Sequence, residues 1–193
     1  MPEPRDIPLV RWGEELRRRR ATLRRGRFRT LWAAAAGVAA TAAVATLIWP
    51  PRPSLVWNAT ASSPIGLYAV SGVDELERDD MVVAWPPAAA RSLAAERGYL
   101  PVNVPLVKRV AAVAGDRVCA VGEAVFVNGQ LEAHRRDADS AGRPLPSWTG
   151  CTDLQEDQFL LLIPGRAASF DGRYFGVTER RDLVGEARLL WAS

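Results

Sequence analysis

The sequence predicts a mainly β protein, an antiparallel domain of coiled or partly closed sheets carried behind a single amino-terminal transmembrane helix. Three observations predict it. One uncharged run of helical length stands near the amino terminus, short β-branched runs separated by Gly, Pro, Asp and Asn recur beyond it, and no βα alternation is present. A chain of 193 residues, 48% hydrophobic and 24% charged, is long enough for one medium-sized core.

Residues 1–30 come first and are strongly basic. They hold ten arginines against Glu3, Asp6, Glu14 and Glu15, a local charge of +6, whereas residues 51–193 hold 15 basic and 18 acidic side chains. The two parts therefore face different surroundings. Leu31 to Trp49 follows, 19 residues without a charge, which as a helix reach roughly 28 Å, about the hydrocarbon thickness of a bilayer. Nine alanines make it only weakly apolar, so a buried helix or a cleaved signal sequence competes with an anchor. The arginines before it, Trp32 and Trp49 at its ends and Pro50-Pro51 after it favour the anchor. The positive-inside rule then assigns 1–30 to the cytoplasm, 31–49 to the bacterial inner membrane and 50–193 to the periplasm. Beside a span, the basic run 17–29 sets topology and meets anionic lipid; nucleic acid is not an expected partner.

Beyond the span, strands are predicted over 81–85, 106–110, 117–121, 124–127 and 159–163. Val127-Asn128-Gly129-Gln130 reads as a type I′ hairpin turn, because Asn-Gly tolerates the positive φ angles that turn requires. A helix is expected over 88–97 and an exposed loop over 135–150. Cys119 and Cys151 both lie beyond the span, where an oxidising compartment favours a disulfide between them. Two cysteines and one histidine, His134, argue against a metal site, and no cofactor is expected. A histidine-based triad is disfavoured on the same count.

The chain has 24 arginines and one lysine, Lys108. An arginine cannot give up its proton in a protein, whereas a lysine desolvated among apolar side chains can. Codon bias alone could leave one lysine by chance, but Lys108 sits inside the apolar run Pro105-Leu106-Val107-Lys108-Arg109-Val110. A hydroxyl-rich segment, Trp57 to Tyr68, and a polar segment, Ser169 to Gly176, flank it in the sequence. In an extended chain Ser169, Asp171 and Arg173 would share one face. Each segment has a structural explanation by itself, a linker with an ST-turn for the first. Together they suit a serine–lysine protease, in which lysine activates an otherwise weak serine nucleophile.

The ordered motifs Asn-x-Thr-x-Ser-x-Pro-x-Gly-x-Tyr, Lys-Arg-Val-x-x-x-x-Gly-Asp and Ser-x-Asp-x-Arg-Tyr-Phe-Gly resemble the type I signal peptidase superfamily, and more narrowly its TraF-type, conjugative-transfer branch. The likeness runs over nearly all of 55–191. It implies a signal-peptidase-like β domain with Ser62 as nucleophile and Lys108 as general base. It also implies an oxyanion hole from the Ser62 N–H and the Thr60 hydroxyl, with Ser169 and Asp171 orienting the lysine and Arg173 pairing with Asp171. The TraF-type Ser-x-Pro register ends at Pro64 and selects Ser62 over Ser63; the general Ser-Met-x-Pro pattern would need a serine at Ala61. Ala114 stands where the family has proline and Gly172 where it has serine. The implied substrate is a membrane-inserted precursor with small residues one and three positions before the cut. A conjugative pilin is the implied client, with its ester on Ser62 resolved by water or by the chain's own amine. The alternatives are a general signal peptidase for exported proteins, a cytosolic LexA-like self-cleaving protein, which the apolar run argues against, and a non-catalytic membrane-anchored scaffold of a secretion complex.

Overall fold

The structure is a computed structural model that describes residues 8–48 and 53–192, in two compact units dividing near residue 51. Trp49, Pro50 and Pro51 at the end of the expected span, and Glu3 and Asp6 in the basic tail, lie outside the described residues.

The first unit is one helix, α1 (Pro8–Ile48, 41 residues), so the basic segment and the apolar run share an unbroken backbone. Pro8 suits the first helical turn, where the missing N–H costs nothing, and alanine is the best helix former. Its stretch Phe28–Ile48 is long and apolar enough to cross a membrane, and none of it is buried. Thr41 and Thr46 donate their hydroxyls to Gly37 O (2.9 Å) and Ala43 O (2.8 Å), so neither carries an unpaired donor along that stretch.

The second unit is mainly β, as the sequence predicts. Its strands are β1 (Leu55–Asn58), β2 (Gly66–Ser71), β3 (Met81–Ala84), β4 (Leu106–Ala112), β5 (Arg117–Val121), β6 (Ala124–Val127), β7 (Gln130–His134), β8 (Gly150–Asp153), β9 (Gln158–Leu162), β10 (Thr178–Glu179) and β11 (Leu183–Ala192). Two short helices join them, α2 (Ala88–Glu96) and α3 (Gly172–Phe175). All pairings are antiparallel. Seven strands form one sheet in the order β1-β2-β11-β3-β4-β9-β10, and β7-β6-β5-β8 form a second. The carboxy-terminal β11 thus lies inside the large sheet and bridges its two halves.

The period-2 rule places the core. Along β9, Leu160 and Leu162 pack with Val118, Val125 and Val127 of the small sheet, while Phe159 and Leu161 pack on the other side with Val82 and Val110. In β6–β7 the hairpin has Asn128 at φ 50° and Gly129 at φ 81°, the type I′ turn expected from Asn-Gly. Cys119 and Cys151 face each other across β5 and β8 and are joined as a disulfide.

Two expectations are corrected. Residues 135–150 are not simply an exposed loop: Arg135 is buried, donating to Gly122 O and Trp148 O, and Trp148 packs on the small-sheet core. The segment carrying Ser169, Asp171 and Arg173 is not extended either. Asp171 caps α3 by accepting from the Arg173 N–H, and Gly172 and Arg173 are helical. An aspartate three residues before an aromatic pair is a local capping signal, and it outweighs the alternation of polar residues.

Candidate active site

Three separate elements bring the site together. The first is the seven-residue loop between β1 and β2, closed where Asn58 pairs with Gly66. The Asn58 carboxamide organises it from within. Its Oδ1 accepts from the Thr60 N–H (3.2 Å) and Thr60 Oγ1 (2.8 Å), and its Nδ2 donates to the carbonyls of Thr60, Ser63 and Pro64 at 3.0–3.2 Å. Tyr68 adds a hydroxyl bond to Pro64 O at 2.8 Å. At Gly66 a Cβ would meet Trp191 O at 2.0 Å, so only glycine lets β11 approach the loop's end this closely.

The adjacent serines diverge. Ser63 is buried and donates to Val107 O at 2.6 Å, which ties the loop to β4. Ser62 points the other way, into the cleft, with its Oγ 2.9 Å from Lys108 Nζ and 3.1 Å from Thr60 Oγ1.

The second element, β4, supplies Lys108, paired in register with Val82 and 1% exposed. Its Nζ also bonds Ser169 Oγ at 3.0 Å, so the nitrogen is held between two hydroxyls. Burial lowers its pKa from 10.5 to about 8; the Asp171 carboxylate opposes that drop and the Arg173 guanidinium adds to it.

The third element is the loop from β9 into α3. Asp171 and Arg173 are both fully buried and paired, Arg173 Nε to Asp171 Oδ1 at 2.7 Å and Nη2 to Oδ2 at 3.1 Å. The remaining donors and acceptors are also used. Ile163 N–H gives to Asp171 Oδ2, while Arg173 reaches the carbonyls of His134 and Ile163. A buried ion pair holds its position only when so completely hydrogen-bonded, and this one fixes the turn that presents Ser169. Gly172 is required in it, since a Cβ would meet Leu161 O at 2.8 Å and Leu160 Cδ1 at 2.9 Å.

The structure therefore brings Thr60, Ser62, Lys108 and Ser169 together at one cleft of about 640 Å³, with Asp171 and Arg173 bracing it from behind. Cys119 and Cys151 lie apart from it in the small sheet. Among the described residues no group of His, Cys, Asp and Glu could hold a metal. A buried amine within hydrogen-bond reach of a cleft-facing hydroxyl is the pairing in which a lysine can take a serine's proton as the hydroxyl attacks a carbonyl. Sequence reasoning assigns no role to Asn58, which opens its first motif, or to Ser63, which it weighs only against Ser62, and does not reach the cleft wall of Tyr99, Phe170 and residues of 136–145. Asn58 alone had a signal, an asparagine two residues before a threonine in a turn-rich segment.

The family described as signal peptidase, peptidase S26, matches residues 27–192 of the chain. A plasmid transfer protein TraF of Escherichia coli is 36% identical over 137 residues, covering 66% of this chain and 77% of that protein. A probable conjugal transfer protein TraF of Sinorhizobium fredii is 33% identical over 141 residues, 68% of this chain and 73% of that one. A solved signal peptidase I of Enterococcus faecalis shares 18% identity at a TM-score of 0.34, covering 58% of this chain and 97% of that chain.

Proposed function

The chain belongs to the signal peptidase family, peptidase S26, and from that membership we propose that it is a membrane-anchored serine endopeptidase that cuts a precursor through Ser62 and Lys108. One observation carries the proposal: a buried lysine amine 2.9 Å from a serine hydroxyl, both lining one cleft of about 640 Å³. In this reading free Lys108 takes the Ser62 proton while Oγ attacks the scissile carbonyl. The Ser62 N–H and the Thr60 hydroxyl, once it rotates off the Asn58 Oδ1 to which it donates at 2.8 Å, hold the oxyanion, a contribution worth roughly 3 kcal/mol for one donor. Lys108 then returns its proton to the leaving amine, and an ester on Ser62 remains. Ser169 accepts from the lysine throughout and keeps its nitrogen on line.

The plasmid and conjugal transfer in the TraF relatives' names fits a conjugative pilin precursor as client, and the family resemblance implies small residues one and three positions before the cut. Water attacking the ester gives a linear product; the precursor's own amine gives a ring. The apolar stretch Phe28–Ile48 supports a single span in the bacterial inner membrane, with the basic residues 1–30 cytoplasmic and residues 50–193 periplasmic. Trp57 and Trp191, both exposed and with ring centroids 5.9 Å apart, support contact between this face and lipid.

The test is mass spectrometry of a candidate pilin precursor co-expressed with the intact chain, with Ser62→Ala and with Lys108→Arg. Trimming by the intact chain alone is the expected result, and a product one water lighter than the linear fragment marks cyclisation. Equal masses in all three would favour a non-catalytic scaffold.

A further inference from the structure

We propose that the cleft beside Ser62 recognises a carboxylate on its peptide substrate, through Arg136 and Arg166. The proposal rests on the peptidase reading for the nature of the occupant. Besides Lys108, three charged residues among the described residues line the cleft: Arg136, Asp139 and Arg166. The acid is fully used by its own surroundings. Asp139 Oδ1 accepts from the Ala141 and Arg143 N–H groups, both at 2.9 Å, and Oδ2 accepts from the Tyr99 hydroxyl and from Arg143 Nε at 2.7 Å. Arg97 Nη1 stands a further 3.9 Å away. These donors, the Tyr99 hydroxyl foremost, hold the Asp139 carboxyl well below the usual range, so it stays an occupied anion.

Neither rim arginine has such a partner. Both are exposed, and no ion pair or side-chain hydrogen bond among the described residues involves either guanidinium. Only their backbones are fixed. The Arg136 N–H donates to Tyr174 OH at 3.1 Å, and Arg166 O accepts the Ser169 N–H at 3.0 Å. Tyr174 in turn stacks on Phe170, so both arginines are anchored to the segment that carries Ser169. Asp137, next to Arg136 in the chain, does not line the cleft.

The rim is thus positive on a domain that holds 15 basic and 18 acidic side chains. Its sign is local. Leu100, Leu106, Leu145 and Ala167 make the cleft's lining apolar, which suits small side chains near the cut, while a guanidinium fork suits a planar carboxylate at the edge. Field focusing in a partly desolvated groove strengthens such a contact over one on an open surface. The carboxylate can come from an Asp or Glu side chain near the cut or from a free carboxy terminus just beyond it.

Binding decides this without turnover. Full-length Ser62→Ala protein in detergent micelles is titrated with labelled Ala-x-Ala peptides in matched pairs. Glu against Gln is walked through each flanking position in one arm, and a free against an amidated terminus is compared in the other. At least one pair should favour the carboxylate by about fivefold at low salt, with the preference shrinking at high salt. The ratio should fall to about one when Arg136→Gln and Arg166→Gln are added and recover in part in the double lysine variant. Equal binding in every pair, or a preference that survives the double glutamine variant, overturns the proposal. The same peptides are given to the intact protein in parallel. If it cleaves none of them the peptidase reading fails, while the binding ratios still decide the carboxylate site.

Discussion

Ser62 and Ser63 are neighbours with the same side chain, and hydrogen-bond partners alone separate their roles. Ser63 spends its proton on Val107 O in the interior, whereas Ser62 meets Lys108 at the cleft. Ser63→Ala should therefore cost about 1–2 kcal/mol in chemical unfolding, because the buried carbonyl loses its donor, while cleavage persists. Ser62→Ala should leave stability nearly unchanged and abolish cleavage. The lysine makes a second prediction. Only its neutral form is a base, and burial brings its pKa to about 8, so kcat/KM should rise about tenfold per pH unit below pH 8 and level off above it. A profile that falls from pH 6 to 9 would contradict a lysine base. Lys108 was legible in the sequence because a single lysine inside an apolar strand has few structural reasons to be there. Asn58 was not, because its function is to satisfy four backbone groups that only the closed loop brings around it.

At the scale of elements, strands with dense β-branched residues were readable from alternation, and β3, β4, β5, β6 and β9 stand where the sequence predicts them. The missing ones were β1, β2, β8, β10 and β11, while β7 was implied only by the Asn-Gly turn that leads into it. β8 is wholly exposed and therefore shows no apolar period, and β11 is exposed along its second half. Long-range pairing holds such strands, and no local pattern records it. α3 was missed for a different reason, since four residues are too few for a helical period and the Asp171 cap overrides the alternation. Gly172 also changes meaning once α3 is seen. Its place in the motif, where serine is expected, is set by Leu161 O and Leu160 Cδ1 pressing on the position. Gly172→Ser should push α3 off β9, destabilise the protein by about 1–3 kcal/mol in thermal unfolding and lower kcat by displacing Ser169. A serine variant as stable and active as the parent would show that this contact is not tight.

Across the whole molecule, charge asymmetry and the apolar run lead the sequence reading to a tail, a span and a β domain; α1 carries residues of the first two on one helix, and the connection of the two sheets through β9 required the fold. The disulfide acts at this scale. It closes a separation of 32 residues between β5 and β8, away from the cleft, so reduction should lower unfolding free energy by about 3–4 kcal/mol on the chain-entropy estimate. Cleavage at moderate temperature should survive reduction, and its immediate loss would mean that the small sheet shapes the cleft more directly than the contacts indicate. The central claim, that Ser62 is acylated with Lys108 as its base, is tested most directly by intact-mass spectrometry of the full-length chain, acid-quenched during turnover of an Ala-x-Ala peptide ester. The account predicts one acyl adduct, mapped by peptide digestion to Ser62 and absent from both Ser62→Ala and Lys108→Arg. An adduct on Ser63, or one that forms equally in Lys108→Arg, would contradict it.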